Sequence, residues 1–186
     1  MMRAVLMVAL LALAGSASAK TPKSVAELVV SNPGGDFTIL LAAIKAADPS
    51  ILAALSDPKL AATVFAPTDK AFKRLLKALN VSAEDLLKDK DLLTAVLSYH
   101  VIGTPVPSSA LKIRQWVQTL LKGKTGVVKI TDKFSKKYHE QEVRVYTTSG
   151  SNAKVILPDI VAGKSVVHVI NRVLIPGKEY FAKGPK

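Results

Sequence analysis

The chain has 186 residues, no cysteine and a formal net charge of +12, and 49% of its residues are hydrophobic. These values exclude a disulfide-stapled miniprotein and a thiolate zinc site, and they suit one domain with its own packed core. The charge predicts attraction to polyanions.

In chain order, residues 1–19 read as a secretory signal peptide: Arg3 gives a positive start, Val5 to Ala14 an apolar stretch, and Ala17-Ser18-Ala19 a small-residue cleavage site. The apolar stretch is too short for a membrane span, and the hydrophilic basic tail over 178–186 lacks the apolar end of a glycolipid-anchor signal. The expected location is therefore extracellular, without span or anchor. Export also redirects the polyanion away from nucleic acid, toward acidic polysaccharides or glycoproteins of a matrix or cell wall.

Ser24, with Glu27 three positions on, caps a first helix carrying Val25, Leu28 and Val29 on one face. Asn32-Pro33-Gly34-Gly35 stops it, and Asp36 is placed to cap a second helix over Phe37 to Ala47. Asp48-Pro49 restarts the chain as a short helix through Leu55.

The stretch ATVFAPTDKAF, residues 62–72, changes character abruptly. Thr63, Val64 and Phe65 favour an extended chain, and Pro67 keeps Ala66 out of helix. Thr68 then caps a helix to about Leu79, with Asp69 at its positive end. Ser82 caps another, and Leu92 to Leu97 continues helical before Tyr99 to Ile102 turns extended. Asn80-Val81-Ser82 is a glycosylation sequon.

Beyond Gly103 short alternating runs predict strands at Val127 to Ile130, Val143 to Tyr146, Lys154 to Leu157 and Ser165 to Ile175. Asp132 to Gln141 reads as a long polar loop. Helices first and strands later give an α+β domain, set at residues 20–177.

Three ordered stretches carry a resemblance. ATVFAPTDKAF resembles the first signature of the fasciclin domain, LLTAVLSYHVI its central Tyr-His segment, and SVVHVINRVLIP its closing signature. The resemblance implies a wedge in which β-sandwich-like sheets are covered by helices from the first half, with the Pro-Thr-Asp joint as an architectural device. It places Thr68 and Asp69 at the first motif, where a cap and turn role suffices. Tyr99 and His100 match the segment linked to adhesion in animal members, and Asp159-Ile160 the Asp-Ile feature linked to integrin recognition. Asn171 stands where the family frequently has Asp. His100 is expected partly buried and bonded to backbone, while His168 either faces solvent on an edge or sits satisfied in the core.

Enzyme chemistry has little support. The chain contains no Gly-x-Ser-x-Gly elbow and no His-Glu-x-x-His pair, and its histidines are scattered. Lys122-Gly123-Lys124-Thr125 imitates a phosphate loop, but Gln118 occupies the position of the first glycine. No metal or required cofactor is expected.

Two functions fit. In the first, a noncatalytic adhesion module binds acidic polymers through Lys122, Lys124, Lys133, Lys136 and Lys137, which a hairpin could gather at one end together with Lys112, Arg114 and Lys129. In the second, the domain carries an apolar molecule such as a carotenoid, as some green-algal members of the resembled family do, in a crevice lined by Leu40, Leu41, Ile44, Val167 and Val169. For those five, ordinary core packing is the simpler reading. Trp116, a stacking platform for sugar or pigment in principle, is expected to be a partly buried anchor.

Overall fold

The computed structural model describes residues 22–31, 37–110, 116–135 and 140–177, with backbone alone over 132–135 and 140–141. The expected leader over 1–19, the expected cap at Asp36 and the segment 178–186 lie outside the described residues.

Six α-helices occupy the first half of the described chain: α1 (Val25–Ser31), α2 (Thr38–Ala46), α3 (Pro49–Ser56), α4 (Asp69–Leu79), α5 (Ala83–Lys88) and α6 (Lys90–Tyr99). Their starts follow the capping residues in the sequence. Ser24 Oγ accepts the Glu27 N–H at 3.2 Å, Asp48 that of Ser50 at 2.8 Å, Thr68 that of Ala71 at 3.3 Å and Ser82 that of Asp85 at 3.0 Å. Each satisfies a donor that the helix itself leaves open. Glu27 reaches back to the Lys23 N–H rather than to that of Ser24, so the capping box closes one residue early.

The strands are β1 (Thr63–Pro67), β2 (Val101–Ile102), β3 (Trp116–Gln118), β4 (Val127–Ser135), β5 (Glu140–Thr147), β6 (Asn152–Ala162) and β7 (Ser165–Ile170). They hydrogen-bond in the order β2-β1-β7-β6-β5-β4-β3. β1 and β7 run parallel, in register from Thr63 opposite Val166 to Pro67 opposite Ile170, and the remaining pairs are antiparallel.

β6 belongs to both halves of this sheet. Its first residues, Asn152 to Lys154, pair with β5, and the rest pairs with β7 through register shifts between Val155 and Ile160. Such bulges bend a strand. The halves consequently share an inner core in which Phe65, Ile102 and Ile170 from one meet Val128, Ile130, Val145 and Ala153 from the other. This is the sandwich-like arrangement.

The opposite face of the β1–β7 half carries Val64, Ala66, Val167 and Val169, which form a second core cluster with Leu28, Leu40, Ile44, Phe72 and Leu97 from the helices. All five residues of β1 are buried because they face two cores in alternation. That explains an unbroken buried strand in a mixed sheet. At the β6–β7 turn, Gly163 adopts φ +61°, and a Cβ there would lie 2.4 Å from the Lys23 carbonyl oxygen. Only glycine admits this approach, which the 3.0 Å bond from its N–H to the Pro22 carbonyl secures.

Three expectations about elements are corrected. Tyr99 ends α6 and His100 caps it, so only Val101 and Ile102 are extended. Most of the supposed loop from Asp132 to Gln141 forms the long arms of the β4–β5 hairpin, because pairing continues from Val128 opposite Thr147 to Ser135 opposite Glu140. Cross-strand hydrogen bonding overrides the polar composition there. Finally β7 ends at Ile170, and the apolar run through Ile175 continues without strand pairing.

Candidate functional site

The motif residues lie where helices and sheet join, and their polar atoms are bonded to backbone. Asp69, at the first position of α4, accepts the N–H of Ile39 at 2.8 Å and of Thr38 at 3.2 Å. It therefore caps α2, a helix far away in sequence, besides standing at the start of its own. Phe37, the residue before α2, contributes no side-chain cap.

Tyr99 fixes the end of α6 to the far half-sheet. Its hydroxyl donates to the Val127 carbonyl at 2.7 Å and accepts the Thr148 N–H at 3.3 Å. Burial raises the phenol above its ordinary pKa.

The two buried histidines use opposite tautomers. His100 Nδ1 lies 2.7 Å from the Val96 carbonyl and must donate to it, while Nε2 accepts the Leu174 N–H at 2.9 Å. In His168 the roles reverse: Nδ1 accepts the Asp159 N–H at 3.2 Å, and Nε2 donates to the Val106 carbonyl at 3.0 Å. Each ring is neutral by geometry, since protonation would set a new N–H against a backbone N–H. Burial pushes His100 down to about 4, and burial likewise lowers His168. Of the two placements open to His168, the core is correct: the residue is fully buried and its ring lies 5.8 Å from that of Phe65.

Asp159 sits at the β6 bulge with φ +59°, and Ile160 beside it packs partly buried against the helix-side core. The Asp159 carboxylate accepts the Ser108 N–H at 2.7 Å and the Ser108 hydroxyl, which ties the 3-10 turn Ser108–Ala110 to the bulge. Burial alone would raise this carboxyl, but the Ser108 bonds hold it below its ordinary value. Asn171 closes the β6–β7 end, its side-chain oxygen accepting the Lys154 N–H at 2.9 Å. No carboxylate is needed for that role.

Leu40, Ile44, Val167 and Val169 are buried in the helix-side core, and Leu41 packs against it. The structure brings all five expected lining residues into one cluster. Asn80 is exposed at the left-handed end of α4.

The lysines divide differently from expectation. Lys122 and Lys124 are exposed in the turn between β3 and β4. Lys133 lies near the other end of β4, opposite Glu142, and Lys136 and Lys137 lie outside the described residues. Lys133 stands six residues along β4 from Val127, a reach of roughly 20 Å, so the hairpin does not bring it to the end that carries Lys122 and Lys124. Lys112 and Arg114 also lie outside the described residues.

A second correction concerns Trp116, which is 52% exposed on β3. β3 is the edge strand, and only its Val117 turns inward. Sequence reading also misses the ion triad on β5 and β6, where the buried Glu142 accepts Arg144 at 2.8 Å and Lys154 at 2.9 Å. These contacts, that with Lys154 foremost, hold Glu142 below its ordinary pKa. Alternating charges on separate strands carry no pairing signal until register is known.

Among the described residues, no group of three or more His, Asp or Glu could hold a metal ion, and no helix is long and apolar enough to cross a membrane.

Comparison with known proteins agrees with this architecture. The fasciclin domain model matches residues 35–176. Two proteins of Synechocystis sp. (strain ATCC 27184 / PCC 6803 / Kazusa) are similar: Protein sll1483, 32% identical over 165 residues, covering 89% of this chain and 80% of the relative; and the uncharacterized protein sll1735, 29% identical over 154 residues, covering 83% and 98%. A solved FAS1 domain pair from the insect cell adhesion molecule Fasciclin I shares the fold, with a TM-score of 0.50 and 18% identity over 80% of this chain and 43% of that one. This chain belongs to the fasciclin domain family.

Proposed function

We propose that the protein is a secreted, noncatalytic binding module that attaches to acidic polysaccharides or glycoproteins of a matrix or cell wall. One observation carries this reading. The polar motif residues Asp69, Tyr99, His100, Asp159 and His168 all bond to backbone, whereas cations such as Lys122 and Lys124 stand exposed on a chain of net charge +12. The motifs hold the fold, and the surface is left for a partner. Exposed ion contacts are individually weak and salt-sensitive, so several acting together on a repeating polyanion suit this surface.

Retention on immobilised polygalacturonate and on a sulfated polysaccharide, compared with a neutral glucan across a salt series, tests the proposal. Binding to an acidic polymer at low salt that declines as salt rises is expected. Passage through every acidic matrix at low salt would overturn the reading.

Carriage of a carotenoid is the competing reading, favoured by the meeting of Leu40, Leu41, Ile44, Val167 and Val169 in one apolar cluster. A polyene would have to part close-packed side chains, which costs dispersion contacts before new ones form. Visible absorption by protein purified from its own cells would establish it, and colourless protein that takes up no carotenoid would remove it.

A further inference from the structure

We propose that the outer face of the β3–β6 half-sheet is a stacking platform for a uronate-containing polysaccharide, with Trp116 and Tyr146 beneath alternate sugar rings and Lys129 between them meeting the carboxylate of the intervening sugar. The inference rests on the polymer-binding reading above and gives it a location and a sugar chemistry.

Strand register builds the platform. Trp116 lies opposite Lys129, Lys129 opposite Tyr146, and Tyr146 opposite Asn152, so the four form one row across four strands. Val117, Val128, Val145 and Ala153 turn into the inner core, and the alternation of a strand sends their neighbours outward. Trp116 is exposed, while Lys129 and Tyr146 are half-buried. Neither the two rings nor the Lys129 ammonium makes a hydrogen bond, ion pair or ring contact with another described side chain.

The neighbouring row is arranged otherwise. Arg144 and Lys154 converge on Glu142, which pins β5 to β6. An ion triad that ties two strands together thus borders the row of Trp116, Lys129 and Tyr146.

The chemistry of the row selects its ligand. Trp116 and Tyr146 are two strand spacings apart, roughly 9–10 Å, of the order of two linked pyranose rings. The C–H face of a pyranose meets the negative face of an aromatic ring favourably, and the hydroxyls at its rim stay wet. An aliphatic partner would bury Lys129 unpaired, which is costly. A sugar acid supplies the missing countercharge.

The test uses an oligogalacturonate, its methyl-esterified form and an oligothymidylate as probes, with tryptophan fluorescence as a readout. Trp116 is the single tryptophan of the chain, so emission reports this face alone. A saturable emission change is expected with oligogalacturonate and not with the ester. Tyr146→Ala should weaken binding about fivefold, and Lys129→Gln about two- to fivefold at low salt, with unchanged thermal melting. Should Tyr146→Ala melt early, Lys129→Gln and the wild-type titration decide alone.

Retention of oligogalacturonate with unmoved Trp116 emission and unaltered affinity in Lys129→Gln would overturn the platform while leaving the polymer-binding reading intact. Equal binding of the ester overturns acid recognition, and tighter binding of oligothymidylate replaces the sugar with a nucleic acid. Failure to bind any acidic polymer sinks the platform together with the reading it rests on.

Discussion

Asp69 Oδ1 accepts the backbone N–H of Ile39 at 2.8 Å, joining the start of one helix to the start of another across 30 positions of sequence. The carboxylate takes a second N–H, that of Thr38, and Thr68 beside it caps α4. The Pro-Thr-Asp joint therefore starts two helices at once, both lying on the same core.

Replacing Asp69 tests that double role. Asp69→Ala leaves two N–H groups without their acceptor and removes a negative charge from two positive helix ends, at a cost of about 2 kcal/mol. Asp69→Asn keeps one acceptor oxygen and should lose about half as much. Urea denaturation measures both, and an unchanged midpoint in the alanine variant would show that α2 finds its cap elsewhere.

The buried His100 makes stability depend on pH. Its folded pKa of about 4 lies below the ordinary 6.5, so between those values the unfolded chain binds the proton and the folded chain does not. Stability is complete above pH 6.5, falls as pH drops toward 4 and loses nothing further through this group below that. The full effect is roughly 3 kcal/mol, with His168 acting in the same direction. His100→Gln should flatten the slope of the denaturation midpoint over this window, whatever its baseline stability. A slope as steep as that of the wild type would assign the dependence to other groups.

Tyr99 offers a separate check on how the half-sheets are held. Tyr99→Phe keeps the ring in the inner core but leaves the Val127 carbonyl and Thr148 N–H without their side-chain partner, a loss of about 1–2 kcal/mol. Hydrogen exchange should quicken at Thr148 before the helices are affected. Uniform loss of protection throughout the chain would instead mean that this bond supports the whole fold.

At the β6 bulge, Asp159→Ala removes both Ser108 contacts and places a less suitable residue at φ +59°, costing about 2 kcal/mol together. Asp159→Asn tolerates the left-handed backbone and keeps an acceptor, so it should remain near wild type. Polymer retention should be unaffected in both variants, provided they are assayed below their melting points. Loss of retention in folded Asp159→Asn would move Asp159 from architecture to the binding surface.

Local physics set much of the fold. Ser24, Asp48, Thr68 and Ser82 announced their helices because a side-chain cap reaches only two or three residues along the chain. The apolar character of β1 was equally legible. The ordered motifs also marked the family, since their spacing reflects the whole domain.

What depended on remote contact was not legible in this way. Nothing near Thr38 indicates that Asp69 caps its helix, and nothing in DKFSKKYHEQ reveals that β4 and β5 pair through most of that polar stretch. The tautomers of His100 and His168 followed only from the carbonyls and N–H groups that surround them. So too with the row Trp116, Lys129, Tyr146 and Asn152, whose members come from four strands and share a face only through register. Caps and apolar periodicity act between neighbours in sequence. Register and polar satisfaction in a closed core act between neighbours in space, and only the tertiary structure decides who those are.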